Sequence, residues 1–156
     1  MSIREGYEQV MMHAPCLAAD NDADHQMWKF CFYGPVEYFR TSMRRAARAA
    51  IKASEGSRGG GSEEEAKTKL AAAAKKELKA VQGEFKSCIA EASAFYLGLV
   101  RRLEGGYRKA SSSPPEDMRA RLVTISRCWI FMGDLARYKE LHNDKGNKDW
   151  VASRTL

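Results

Sequence analysis

The chemistry most legible in this chain is the binding of anions. Arg137-Tyr138 sets a planar guanidinium fork beside a phenol. That pair suits a phosphate or a carboxylate, because arginine can donate two parallel hydrogen bonds and tyrosine a third. A second basic group, Arg40, Arg44, Arg48 and Lys52, recurs every four residues. On a helix this spacing forms one slowly turning stripe. Plainer roles exist for both. Arg137 can pair with Asp134 or Glu140 on its own helix, Tyr138 can simply pack, and a basic stripe can be a solvated helix face.

Other chemistries lack support. No nucleophile elbow, P-loop, dinucleotide fingerprint or HExxH pair occurs. No pair of carboxylates sits in an apolar run of the kind that raises a pKa. The three histidines, at 13, 25 and 142, fall in presumed loops or ends. The chain therefore reads as a non-enzyme without cofactor. His13-x-x-Cys16 has a metal-like spacing but no second pair to complete a site. Asp20, Asp22 and Asp24 alternate as in a calcium loop, yet the loop's glycine and late glutamate are missing. Their simpler role is to favour the start of the next helix.

The elements that would carry these residues are all helical, with no stretch of period two. An amphipathic piece over residues 2–15, with Ile3, Tyr7, Val10 and Met11 on one face, ends at Pro15. An acidic link from Ala18 to His25 leads into a helix from Asp24 to Ala53. Trp28, Phe32, Val36, Phe39 and Met43 make its apolar face, and Gly34-Pro35 predicts a bend or break within it. Residues 55–62 form a flexible glycine-rich linker. Ser62 and Glu65 then make a capping box for an Ala/Lys/Glu-rich helix. Its packing seam is Phe85, Ile89, Ala92, Tyr96, Leu99 and Leu103, and Gly105-Gly106 is expected to stop it. After a second loop, Ser111-Ser-Ser-Pro-Pro115, Pro115 with Glu116 and Asp117 opens a helix whose buried face is expected to be Leu122, Ile125, Trp129, Met132 and Leu135. A turn over Asn143 to Asn147 precedes one more helix from Trp150.

At 156 residues the chain fits a single domain over 1–156. A net charge of +6 and a pI near 9.2 favour acidic partners: phosphopeptides, nucleic acid or an anionic surface. The charge is uneven, with three basic and six acidic side chains in residues 1–40 but five and one in residues 41–60. Four widely spaced cysteines read as reduced thiols of a cytoplasmic or nuclear protein, three of them within apolar helical runs. There is neither a signal peptide nor a membrane-spanning run.

Three stretches, in order, resemble one family. Cys128-Trp-Ile-Phe-Met-Gly-Asp-Leu-Ala-Arg-Tyr138 is similar to the C-L-x-x-L-G-D-[IL]-A-R-Y segment of the telomerase-activating Est proteins and the SMG adaptors of nonsense-mediated mRNA decay. Trp28 to Arg40 resembles that family's first long helix, and Glu91 to Val100 its E-A-x-x-F-Y helix. The resemblance implies an antiparallel helical array of 14-3-3-like and tetratricopeptide-like character that binds phosphoserine peptides as an adaptor. It implies a phosphate site built from Arg137 and Tyr138 together with two basic residues seven apart on another helix. Arg40 fills one of these positions, while Tyr33 stands at the other, with Lys29 or Arg44 able to compensate. The partner would be a phosphorylated protein such as a decay helicase or another adaptor. The alternative is a module that binds telomerase RNA or telomeric DNA through Arg40, Arg44, Arg48 and Lys52. Trp129-x-x-Met132-Gly133 also matches the opening of a tetratricopeptide helix, whose second helix must cover Trp129 and Met132. On that ground the sequence is expected to be an N-terminal fragment cut within such a repeat.

Overall fold

The computed structural model describes residues 2–55, 62–109 and 114–142, and within them it is helical throughout, with no strand. The linker over Gly56–Gly61, the loop over 111–113, the turn over 143–147 and the helix expected from Trp150 lie outside the described residues, as do the side chains of Ser62 and Glu65. The chain divides into two compact units: Met1–Gly34 with Ile89–Leu156, and Pro35–Cys88.

In the first unit, helix α1 (Ile3–His13) opens on a capping box that the sequence reading passed over. The Ser2 side chain accepts from the Glu5 N–H, and the Glu5 carboxylate accepts from the Ser2 N–H. Met11 is its buried residue, whereas Ile3 stays exposed. Pro15 does end α1, but it also starts α2 (Pro15–Asp20), since proline's fixed φ suits a first helical position. The expected link from Ala18 to His25 shrinks to Asn21 and Asp22, because α3 (Ala23–Met27) already includes His25. Asp22, with φ 47°, makes the reversal in the left-handed region, which Asp tolerates better than most residues. Its side chain does not cap α3.

The Gly34-Pro35 disruption takes a specific form. Residues Trp28–Tyr33 are π-helical and run directly into α4 (Gly34–Glu55). The Gly34 N–H donates to the Lys29 carbonyl, five residues back. Proline has no N–H to give to the carbonyl four residues before it, so a wider turn at that point lets the helical path continue past the missing bond. The widened turn falls on the segment that carries Lys29 and Tyr33.

Helix α5 (Ser62–Lys109) passes through Gly105-Gly106 instead of stopping there. The glycine at 106 serves a close approach: a Cβ there would stand 3.1 Å from Nη1 of Arg121. Arg121 lies on α6 (Pro115–Leu141) and donates through Nη2 to the Met12 carbonyl at 2.8 Å. The expected seam of α5 is present in full, with Phe85, Ile89, Ala92, Tyr96, Leu99 and Leu103 all buried.

On α6 the buried face differs from the expected one. Ala120, Thr124, Ile125, Cys128, Phe131, Leu135 and Tyr138 are inside. Trp129 is 49% exposed, Leu122 is exposed too, and Met132 is only half-buried. Both stripes satisfy three-and-four spacing, because residues 128–132 are apolar on every side of the helix.

An aromatic cluster holds the first unit together. The Trp28 and Phe131 rings stack at 4.9 Å and 4°. Tyr96 lies 6.0 Å from Trp28 and 5.7 Å from Phe131, and Phe32 lies 5.1 Å from Phe95. Tyr96 is fully buried, and its hydroxyl finds no hydrogen-bond partner among the described residues. Burial first, then the nearby Cys128 thiol, push its phenol well above the ordinary tyrosine range. An unpartnered buried hydroxyl costs about 1–3 kcal/mol. Tyr96→Phe should therefore leave stability unchanged or raise it by about 1 kcal/mol in urea unfolding. A loss above about 1 kcal/mol would show that the hydroxyl is satisfied.

Candidate functional site

Two elements of the first unit carry candidate anion ligands, and the aromatic cluster fixes both. Trp28 and Phe32 anchor the π-helical segment that holds Lys29 and Tyr33, while Phe131 and Leu135 anchor α6 ahead of Arg137-Tyr138. Burying one side of each segment leaves the other side to its polar residues. Lys29 is exposed, with Nζ 5.4 Å from the Phe30 ring. Tyr33 is exposed as well.

The arginine fork of α6 is 63% exposed at its side chain. Nη2 of Arg137 donates to Oδ1 of Asp134 at 2.8 Å, the same-helix pair expected as its plainer role. The guanidinium also lies 5.7 Å from the centre of the Tyr138 ring, a cation–π distance. Tyr138 itself is buried, so its ring packs and holds the arginine's stem. The exposed ion pair contributes only a few tenths of a kcal/mol and can be exchanged for a stronger anion.

The remaining candidates belong to the second unit. Arg40 pairs with Glu37 one turn before it on α4 and is largely buried. Arg44, Arg48 and Lys52 are exposed on the same helix. The set is thus divided between units: Lys29, Tyr33, Arg137 and Tyr138 in one, and Arg40, Arg44, Arg48 and Lys52 in the other.

One charged cluster had no signal in the sequence. Nη1 of Arg127 donates to Asp22 at 2.9 Å and to Asp24 at 3.0 Å, joining α6 to the start of α3. Asp24 is only 2% exposed, and its Oδ1 also accepts the His25 N–H at 2.8 Å. Asp22 and Asp24 thus hold an arginine; Asp24 also sits in the first turn of α3 and accepts a first-turn N–H, as expected of an acid favouring the helix start, whereas Asp22 does not cap it. The Asp24 charge, followed by the guanidinium's hydrogen bonds to both acids, raises the Arg127 pKa further against the opposing effect of burial. Asp22, His25, Arg127, Ile130 and Phe131 line a cleft of about 300 Å³ there. Two carboxylates against one guanidinium make it a poor receptor for an anion. A second groove of about 670 Å³, between α1, α2 and α3, is lined by Ile3, Tyr7, Val10 and Leu17, with Gln26 and no charged side chain, so it offers a phosphate no counter-charge.

None of the four cysteines is in a disulfide. Cys128 alone is buried, and that burial pushes its pKa up to about 12. Cys31 and Cys88 are part-exposed instead of core residues. Cys16 donates to Oδ1 of Asp117 at 3.0 Å, and that bond, more than anything else, pushes its pKa up to about 11. None of the three pKa-raised thiols is primed as a nucleophile, since it is the thiolate that reacts. Among the described residues no three His, Cys, Asp or Glu side chains are placed to hold a metal ion. No described helix is long and apolar enough to cross a membrane.

Comparison with known proteins places these helices. The chain is 22% identical to the nonsense-mediated mRNA decay factor SMG7 of Arabidopsis thaliana, over 90% of this chain and 14% of that protein. The chain thus spans about one seventh of the length of the curated relative it matches. No solved structure matches it. The family model described as telomerase activating protein Est1 matches residues 22–143, a span that holds the π-helical segment, α4, α5 and α6. With more than half of its length under that model, the chain belongs to the telomerase-activating Est1 family.

Proposed function

We propose that the chain is the phosphoserine-peptide-binding, 14-3-3-like part of an adaptor acting in nonsense-mediated mRNA decay or telomere maintenance. The observation that supports this most is the state of Arg137. Its guanidinium is exposed, it lies against the ring of the buried Tyr138, and its ion pair with Asp134 is a weak same-helix one. Charge-assisted hydrogen bonds to a phosphate are worth about 1.5–3 kcal/mol each, several times the exposed pair they replace. Membership of the Est1 family and similarity to a decay factor give the reading its biological setting. Lys29, exposed on the π-helical segment of the same unit, is the further cation of this reading.

The test is a titration of a phosphoserine peptide and its unphosphorylated counterpart, followed by fluorescence anisotropy. Arg137→Ala should weaken phosphopeptide binding about tenfold to a hundredfold, from the loss of one or two such bonds, with the helical circular dichroism unchanged. Arg137→Lys should recover part of the loss, since a point charge replaces the fork incompletely. Equal affinity for the two peptides in the unaltered protein would remove the reading.

A further inference from the structure

Trp28 and Phe32 are both buried, four residues apart. In an α-helix a step of four turns about 40° past a full circle, so a stripe built on fours drifts around the axis. Between these two residues the helix is π-helical, and the Gly34 N–H reaches back five residues to the Lys29 carbonyl. A turn closed over five residues instead of four holds more residues per circle, so residues four apart come nearly into line. The wide turn thus keeps Trp28 and Phe32 together on the aromatic cluster. It also lines up the residues that follow each of them, Lys29 and Tyr33, both exposed.

This segment runs alongside α6 in a fixed register. Asp24 meets Arg127, and four residues on along both elements Trp28 stacks on Phe131. The two elements therefore run in the same direction. His25 and Ile130, both exposed, line one cleft on the outer side of the junction. Lys29 follows His25 by four residues, and Arg137 follows Ile130 by seven, two helical turns, so each continues its own wall of that cleft. In the Asp24–Arg127 register Lys29 stands level with Met132. The Arg137 side chain reaches back to Asp134, two residues further on, or about 3 Å of helical rise. Ammonium and guanidinium thus border one groove at nearly the same height. The Lys29 Nζ rests 5.4 Å from the Phe30 ring, a contact within its own segment.

The cause of the wide turn is Pro35. In a regular α-helix the N–H of residue 35 would bond the Cys31 carbonyl, but proline has no N–H and its ring crowds that carbonyl. Shifting the preceding bond one residue, so that Gly34 donates to Lys29 instead of Phe30, opens the space the ring needs. An alanine at 35 would remove both reasons for the shift.

We infer that Pro35 is a positioning residue of the phosphate site: by imposing the wide turn it presents Lys29 to the phosphoryl group that Arg137 holds. The inference rests on the phosphoserine-peptide reading of Arg137 and adds the device that brings a second cation from a second element. That cation decides what kind of anion is taken. A phosphoserine carries nearly two charges at neutral pH and an aspartate carries one, so a pair of cations separates the two better than a lone arginine does.

The experiment is anisotropy of one labelled peptide in three forms, with phosphoserine, serine or aspartate at the same position, against the chain. Lys29→Gln should weaken phosphoserine binding about tenfold and aspartate binding much less. Lys139→Gln removes the same charge two residues from Arg137 but about 200° around α6, and should change either affinity less than about twofold. Pro35→Ala leaves every ligand side chain in place. It should nonetheless weaken phosphoserine binding as much as Lys29→Gln does, with nothing further lost when the two are combined, since both act through one ammonium. Alanine suits a helix interior, so the variant should be at least as stable in urea. A second readout is lysine acylation by an N-hydroxysuccinimide ester, followed by mass spectrometry. The bound phosphoserine peptide should shield Lys29 in the unaltered protein and not in Pro35→Ala. Additive losses, or a Pro35→Ala variant that binds and shields like the unaltered protein, would overturn the inference. So would full phosphoserine affinity in Lys29→Gln where Arg137→Ala still loses it, a pattern that leaves the Arg137 reading standing. Equal affinity for the phosphoserine and serine forms in the unaltered protein removes that reading, and the inference with it.

Discussion

Phe131→Ala should destabilise the protein by about 3–5 kcal/mol, while Trp129→Ala, two residues before it, should cost about 1 kcal/mol or less. Phe131 is buried and lies flat against Trp28 at 4.9 Å, with Tyr96 5.7 Å and His25 6.4 Å away. Its removal opens a cavity among rings that cannot collapse into it, and it forfeits aromatic pairing worth about 0.5–1.5 kcal/mol beyond simple burial. Trp129 is half-exposed, so truncation removes surface that water already reaches. Urea unfolding of the two variants checks this. The opposite order would return the core of α6 to the Trp129 stripe. Because Phe131 also seats the π-helical segment, its loss should weaken any phosphopeptide binding that depends on Lys29 or Arg137. That second effect separates a packing residue from a ligand: binding by the folded Phe131→Leu variant should be near that of the unaltered protein.

That contrast also marks where the sequence was informative. The α5 seam was legible at its two ends, where Lys86, Ser87 and Glu91, and then Arg101, Arg102 and Glu104, flank Phe85, Ile89 and Leu103 and leave one stripe to bury; the intervening run from Ala94 to Val100 follows that register. On α6 the run Cys128-Trp-Ile-Phe-Met132 surrounds the helix, and a shift by one or two residues gives an equally good stripe. The choice depends on what lies opposite, here Trp28, and no local pattern encodes that partner. The expected tetratricopeptide partner for Trp129 and Met132 falls outside the described residues. Gly106 could be seen as unusual, but whether a helical glycine ends a helix or admits a neighbour depends on Arg121, fifteen residues on. Pro35 foretold a disturbance, and its wide-turn form follows from a missing N–H in a helix that packing keeps continuous. For the candidate site, Arg137-Tyr138 was visible as chemistry, and so was the same-helix Asp134 pair. Burial of the tyrosine ring depends on tertiary packing and was not visible.

Arg127→Ala is the second large expected effect, again about 3–5 kcal/mol, and it tests the one charged cluster the sequence concealed. Asp24 is almost wholly withdrawn from water, and Arg127 is the cation that compensates it. Removing a single partner of such a pair leaves an uncompensated buried charge, which is far more costly than losing an exposed ion pair. The remaining bond, from the His25 N–H to Oδ1, satisfies one lone pair and none of the charge. Asp22 provides an internal control: it meets the same Arg127 nitrogen at 2.9 Å, yet it is well exposed, so Asp22→Asn should cost less than about 1 kcal/mol. Asn also tolerates the left-handed backbone at that position. A double-mutant cycle completes the argument. Asp24→Asn should be strongly destabilising in the unaltered protein and nearly neutral, or stabilising, once Arg127 is alanine, because the amide then removes the stranded charge. Strict additivity of the two substitutions in urea unfolding would mean that water reaches Asp24. The α3–α6 junction would then rest on the Trp28–Phe131 stack instead of on the ion pair.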